Sequence, residues 1–132
     1  MHASLILAVS LHVLSATGWA GLTFAMARTG AAQIERLFVP QMGAAVTAML
    51  SGAWFWALTQ RGAFGPSETL LAFGVACAAM ALAIQAVTGA MTMRGPPDQA
   101  GVALPGRAVI GQRISAGLLA LTLIAMGSAR YV

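Results

Sequence analysis

Lysine is missing from this chain, and acids nearly so: Glu35, Glu68 and Asp98 are the only three, against seven arginines in 132 residues. A soluble domain carries about a quarter charged residues; here the share is 8%, which excludes an ordinary aqueous surface. The three acids fall in separate stretches, so no catalytic carboxylate pair is available. Cysteine occurs once, at Cys77, which rules out an intramolecular disulfide and any CxxC or Cys/His ligand set. That lone thiol lies mid-span and reads as a small buried apolar residue. Ser/His/Asp sets and phosphate-cradling glycine loops are also lacking. Enzymatic activity is left open, because any chemistry here has to be borrowed from a cofactor.

What the chain does have is apolar length: 59% of its residues are hydrophobic. Four runs, approximately 3–27, 40–59, 68–93 and 108–129, carry almost no charge. Each is near or above the about 20 residues a helix needs to cross a bilayer. The expected fold is all-α: an integral membrane four-helix bundle, antiparallel and up-down, forming one domain over 1–132. The first run lacks a positive n-region and stays apolar past Trp19 to Ala27, longer than a signal-peptide core. It reads as a retained helix.

Breakers separate the runs. The 28–39 connection holds Ile34, Leu37 and Phe38 beside Glu35 and Arg36, which predicts a short amphipathic interfacial turn. Pro40 is then expected in the first turn of the second helix. Arg61, Gly62, Gly65 and Pro66 end that helix. Ser67 is expected to cap the third, with Glu68 at its positive end. Gly95, Pro96 and Pro97 stop the third.

Four crossings put both termini on one side. Arg28, Arg36, Arg94 and Arg107, with Arg113 close behind, fall on the other side, against Arg61 and Arg130. The positive-inside rule then places the arginine-rich loops in the cytoplasm and both termini outside, in a bacterial-type inner membrane crossed several times. The net charge of +4 suits lipid headgroups and not nucleic acid. The bilayer is the first partner; a homo-oligomer or a larger membrane complex is the second.

Close packing has to hold such helices together, and small residues four apart allow it. Thr17 and Gly21, Ala44, Ala48 and Gly52, Gly74 and Ala78, and Ala79 and Ala83 are so spaced. Gln85 and Ser51 are natural hydrogen-bond partners between helices, and Arg113 is placed to snorkel. Trp56 and Tyr131 suit the lipid–water boundary.

His12 is the one ionisable residue deep inside a span. Ala8, Ala16 and Ala20 share its helix face with Trp19 and Thr23, whereas Leu7, Leu11 and Leu14 mark a lipid-facing stripe. An imidazole among alanines points inward, and an intramembrane ionisable group is a functional-site hypothesis by default. Three readings stand: an axial ligand to heme b iron, with Trp19, Ala16 and Ala20 around it; a structural hydrogen bond to a carbonyl or hydroxyl of a neighbouring helix; and a proton relay or other metal site. His2 is ten residues away and about 80° round the helix, so the two histidines cannot clamp one iron within a chain. Cys77, Met80 and Thr122 fall near the depth of His12. Eight methionines raise copper, but they form no MxxM run at a membrane edge.

The first 58 or so residues resemble the HemJ-type protoporphyrinogen oxidase family and, more loosely, the membrane part of the CopD family. The resemblance rests on Leu11-His12-Val13, Trp19-Ala20-Gly21-Leu22, Glu35-Arg36-Leu37-Phe38, Pro40, Met42 and Ser51-Gly52-Ala53-Trp54. It implies a compact four-helix bundle with His12 as a heme b ligand. The family also carries a lysine at the start of the third helix and a histidine within it. Here Glu68, Thr69 and Leu70 stand in the lysine's place and no histidine follows position 12. Porphyrinogen oxidation is therefore not carried over. The expectation is a small, redox-linked, heme-associated membrane protein; the alternative is a non-catalytic accessory or assembly subunit of a respiratory or photosynthetic complex, with no cofactor of its own.

Overall fold

The computed structural model describes residues 2–29, 34–59, 65–94 and 104–131. Four helices fill them: α1 His2–Thr29, α2 Ile34–Thr59, α3 Pro66–Arg94 and α4 Leu104–Ser128, the last closing in a 3-10 turn at Ala129–Tyr131. All four are long and apolar enough to cross a membrane. Gly30, Arg61, Gly62, Gly95, Pro96, Pro97 and Asp98 lie outside the described residues, as do the side chains of His2 and Glu35.

Two boundaries differ from expectation. α2 starts at Ile34, so Pro40 lies inside it and not in its first turn. Proline has no N–H to give the carbonyl four residues back, at Arg36. Arg36 is exposed, so water or headgroups can reach that carbonyl, and Ile34 gains burial against Met26 and Ala108. The connection 28–39 is therefore mostly helix where an interfacial turn was expected. At α3, Gly65 and not Ser67 is the cap. The Thr69 N–H donates to the Gly65 carbonyl at 3.1 Å, and the Glu68 carboxylate accepts from the Gly65 N–H at 2.9 Å. The carboxylate supplies the glutamate half of a capping box, since glycine has no side chain to return the other bond, and Pro66 takes the first helical position.

α1 packs along α2 and α3 along α4; α1 also meets α4, and α2 meets α3 more sparsely, while the other two pairs barely touch. α1 thus faces α3, and α2 faces α4, across the bundle. The main core is Trp19, Ala45, Ala48, Ala78, Ala81 and Leu119, four of them alanines. Small side chains let backbones approach, the main attraction available between helices in lipid. The stripes split in use. Ala48, Gly74 and Ala78 are buried, whereas Thr17, Gly21, Ala79 and Ala83 face outward. At Gly89 a Cβ would overlap the Phe38 ring, so glycine is required where α2 crosses α3.

Candidate functional site

Two polar features sit at different levels of the bundle. The first is a sealed layer. Trp19 Nε1 donates to Gln85 Oε1 at 2.7 Å, and Gln85 Nε2 donates to Thr23 Oγ1 at 3.0 Å. Gln41 Nε2 also donates to Thr23 Oγ1, at 2.9 Å, and to Gln112 Oε1 at 3.0 Å; Gln112 Nε2 returns a bond to Gln41 Oε1 at 3.2 Å. Thr23 Oγ1 gives its own proton to the Trp19 carbonyl at 2.8 Å. The α1–α3 and α2–α4 diagonals therefore meet at one hydroxyl, which donates once and accepts twice, its full capacity. Thr23, Gln41 and Gln85 are fully buried, and no buried polar side-chain atom lacks a partner among the described residues. Such a layer fixes register and leaves nothing over for a ligand.

The second feature is open. A cavity of ≈ 700 Å³ is lined by residues from all four helices. That volume falls within the about 300–1,000 Å³ of cofactor and ligand sites. The lining is apolar, includes Phe55 and Trp56 of α2 and Met126 of α4, and carries no acid, lysine or arginine. His12, Ala16, Trp19 and Ala20, the residues grouped around the imidazole by sequence, all line it. The indole N–H of Trp19 is committed to Gln85, so Trp19 offers the cavity only its ring. Trp56, expected at the lipid boundary, also lines the cavity.

His12 is positioned by α2. Its Nδ1 lies 2.9 Å from the Ala48 carbonyl and 3.5 Å from Ser51 Oγ. A carbonyl only accepts, so Nδ1 carries a proton, and in the neutral ring Nε2 then keeps its lone pair. Among the described residues nothing bonds Nε2. The ring rests on Gly52, where a Cβ would come within 2.8 Å of Cε1. Gly52 thus makes the seat that lets the imidazole reach Ala48. Ser51 mainly bonds its own helix, at the Thr47 and Ala48 carbonyls, 2.6 and 3.2 Å away.

The other residues placed at this depth divide. Thr122 lines the cavity, but its hydroxyl bonds the Gly74 and Leu118 carbonyls at 3.1 and 3.0 Å. Met80 is 58% exposed on the outer surface, and buried Cys77 is not part of the cavity wall. No group of three or more His, Cys, Asp or Glu side chains gathers to hold a metal among the described residues.

Sequence reasoning missed Gln41 and Gln112. The signal was present, since an amide inside a span needs a partner, but both stand close to the expected starts of their runs, at 40 and 108. No family model, no curated protein and no solved structure matches this chain.

Proposed function

We propose that this is a small heme-associated protein of a bacterial-type inner membrane, holding heme b in the cavity through His12. The observation that carries the reading is the unshared Nε2 lone pair on a cavity-lining imidazole whose Nδ1 proton is tied to the Ala48 carbonyl. A backbone acceptor on the other ring nitrogen fixes the tautomer and the ring orientation of a metal-ligating histidine and raises its basicity. The apolar wall of Phe55, Trp56 and Trp19 suits a flat aromatic macrocycle and keeps water from it. With no cationic wall, the carboxylates of such a ligand have to reach the cavity mouth. Heme, when bound, supplies one-electron chemistry. The chain's own residues bind it, orient the ring that holds it and exclude solvent.

In this reading the helices run up and down, supported by the pairing of position 12 with 48, 23 with 41, 81 with 115 and 74 with 122. Both termini lie outside and the arginine-rich connections lie in the cytoplasm, as the arginine bias supports.

The test is the absorption spectrum of detergent-purified protein expressed with excess heme. A Soret band is expected, lost in His12→Ala with helicity retained. If no chromophore appears and other membrane subunits co-purify, the accessory-subunit reading replaces this one.

A further inference from the structure

The cavity reaches the outer surface of the bundle, and the place where it does so bears on what enters. On every helix its lining lies to one side of the polar layer, between positions 9 and 20, 48 and 59, 71 and 78, and 119 and 126. The bonds that join the α1–α2 hairpin to the α3–α4 hairpin gather in that layer, at Trp19–Gln85, Thr23–Gln85 and Gln41–Gln112, or past it, at Ala27–Arg113. On the cavity side, the bonds of His12 and Thr122 to the neighbouring helix stay within their own hairpins. The hairpins are thus tied at the layer and parted by the cavity beyond it.

Of the two gaps between hairpins, α2–α3 is the sparser. On α3, Gly74 packs against Thr122 and Met126 of α4. Ala72 and Val75 stand about 160° and about 100° round the helix from Gly74; both line the cavity and both are exposed. On α2, Gly52 seats His12, and Ala53, about 100° round from it, likewise lines the cavity and is exposed. The rim of this gap is therefore mostly alanine. On the α1–α4 side the exposed lining residues are the bulkier Val9, Val13 and Leu123. Ala53 and Ala72 each lie about 9 Å inside their helix ends at Thr59 and Pro66. In helices apolar enough to span a bilayer, a gap at that level is continuous with the lipid-contacting surface.

Water is a poor occupant, because it needs about two to four polar partners. Trp19, Thr59 and Thr122 already spend their protons on acceptors of Gln85, Phe55 and Gly74. An apolar cavity of about 150 Å³ takes up small hydrocarbons, and this one measures ≈ 700 Å³.

We infer that an acyl chain of a bilayer phospholipid enters the cavity between α2 and α3, past Ala53 and Ala72, and lies against the Trp19 ring. The inference rests on the lining and its exposure; under the heme reading, that chain is the competitor heme displaces.

Trp19 is the probe, being 3% exposed while its ring lines the cavity. The full chain carrying Trp54→Phe and Trp56→Phe, prepared without added heme, is placed in phosphatidylcholine vesicles with or without bromine on the acyl chains. Trp19 is expected to lose most of its emission in the brominated lipid. Ala72→Phe and Ala53→Phe, which narrow the gap, are each expected to restore it. Should Ala53→Phe lose helicity, Ala72→Phe decides, its position being exposed. Undiminished Trp19 emission overturns the inference. Quenching that the Phe variants leave unchanged also does, since bromine then acts from outside the bundle. Relief by Val13→Phe and not by Ala72→Phe puts the entrance between α1 and α4 and overturns the α2–α3 route. Quenching by aqueous iodide and not by brominated lipid overturns the hydrocarbon occupant. None of these outcomes uses a Soret band, so each is separable from the heme test.

Discussion

The layer around Thr23 and the cavity around His12 are built by the same four helices and treat polar groups in opposite ways. In the layer every buried polar side-chain atom has a partner. In the cavity one nitrogen is left over beside ≈ 700 Å³ of space. Trp19 divides them, with its N–H tied into the layer and its ring facing the cavity. The difference separates what holds the bundle in register from what is free to take a ligand. Polarity alone does not mark function inside a membrane; an unfilled valence beside room does.

The comparison breaks most readily at Thr23. Thr23→Val leaves the Gln41 and Gln85 amides buried without their shared acceptor, and a loss of about 2–3 kcal/mol is expected in denaturant unfolding followed by circular dichroism. Thr23→Ser should stay near wild type. Next is Gln112→Leu, which strips Gln41 of a mutual pair and should cost about 1–2 kcal/mol. Adding Gln41→Leu is expected to restore part of that stability, because both partners are then apolar. Strict additivity in the same unfolding assay would show that the two amides do not act as a pair.

Changes at the cavity should move ligand binding more than stability. His12→Ala removes one partly buried hydrogen bond, a loss of about 1 kcal/mol or less, and under the proposed heme reading is expected to abolish the Soret band. Gly52→Ala, which pushes on the ring at Cε1, should weaken the band while leaving Ser51 and its helix in place. The smallest effect on stability is expected at Ala72, an exposed residue lining the cavity. Ala72→Phe should stay within about 0.5 kcal/mol of wild type, yet lower heme content by narrowing the space. A fall in stability as large as at Thr23 would mean that the cavity is part of the core.

The four spans were legible because runs nearly free of charge leave few alternatives in 132 residues. The inward environment of His12 was legible from its alanine neighbours. The start of α2 was not, because Pro40 carries a strong local signal for a helix beginning, and the burial of Ile34 against Met26 outweighs it. The stripes were readable as motifs but not as interfaces. Ala79 and Ala83 have the same spacing as Gly74 and Ala78, and only the rotation of α3 in the bundle distinguishes them. The diagonal pairing of Gln41 with Gln112 joins residues far apart in sequence, and local pattern holds no trace of it.

The polar layer also bears on biosynthesis. The first helical hairpin brings Gln41 and Thr23 together, able to bond each other, but with amide capacity unmet until α4 delivers Gln112. The α3–α4 hairpin is therefore expected to act as the clasp of the bundle, by supplying Gln85 and Gln112. Cutting the chain between residues 59 and 66 and producing both halves in one cell should yield two fragments that find each other, each supplying the hydrogen bonds the other lacks.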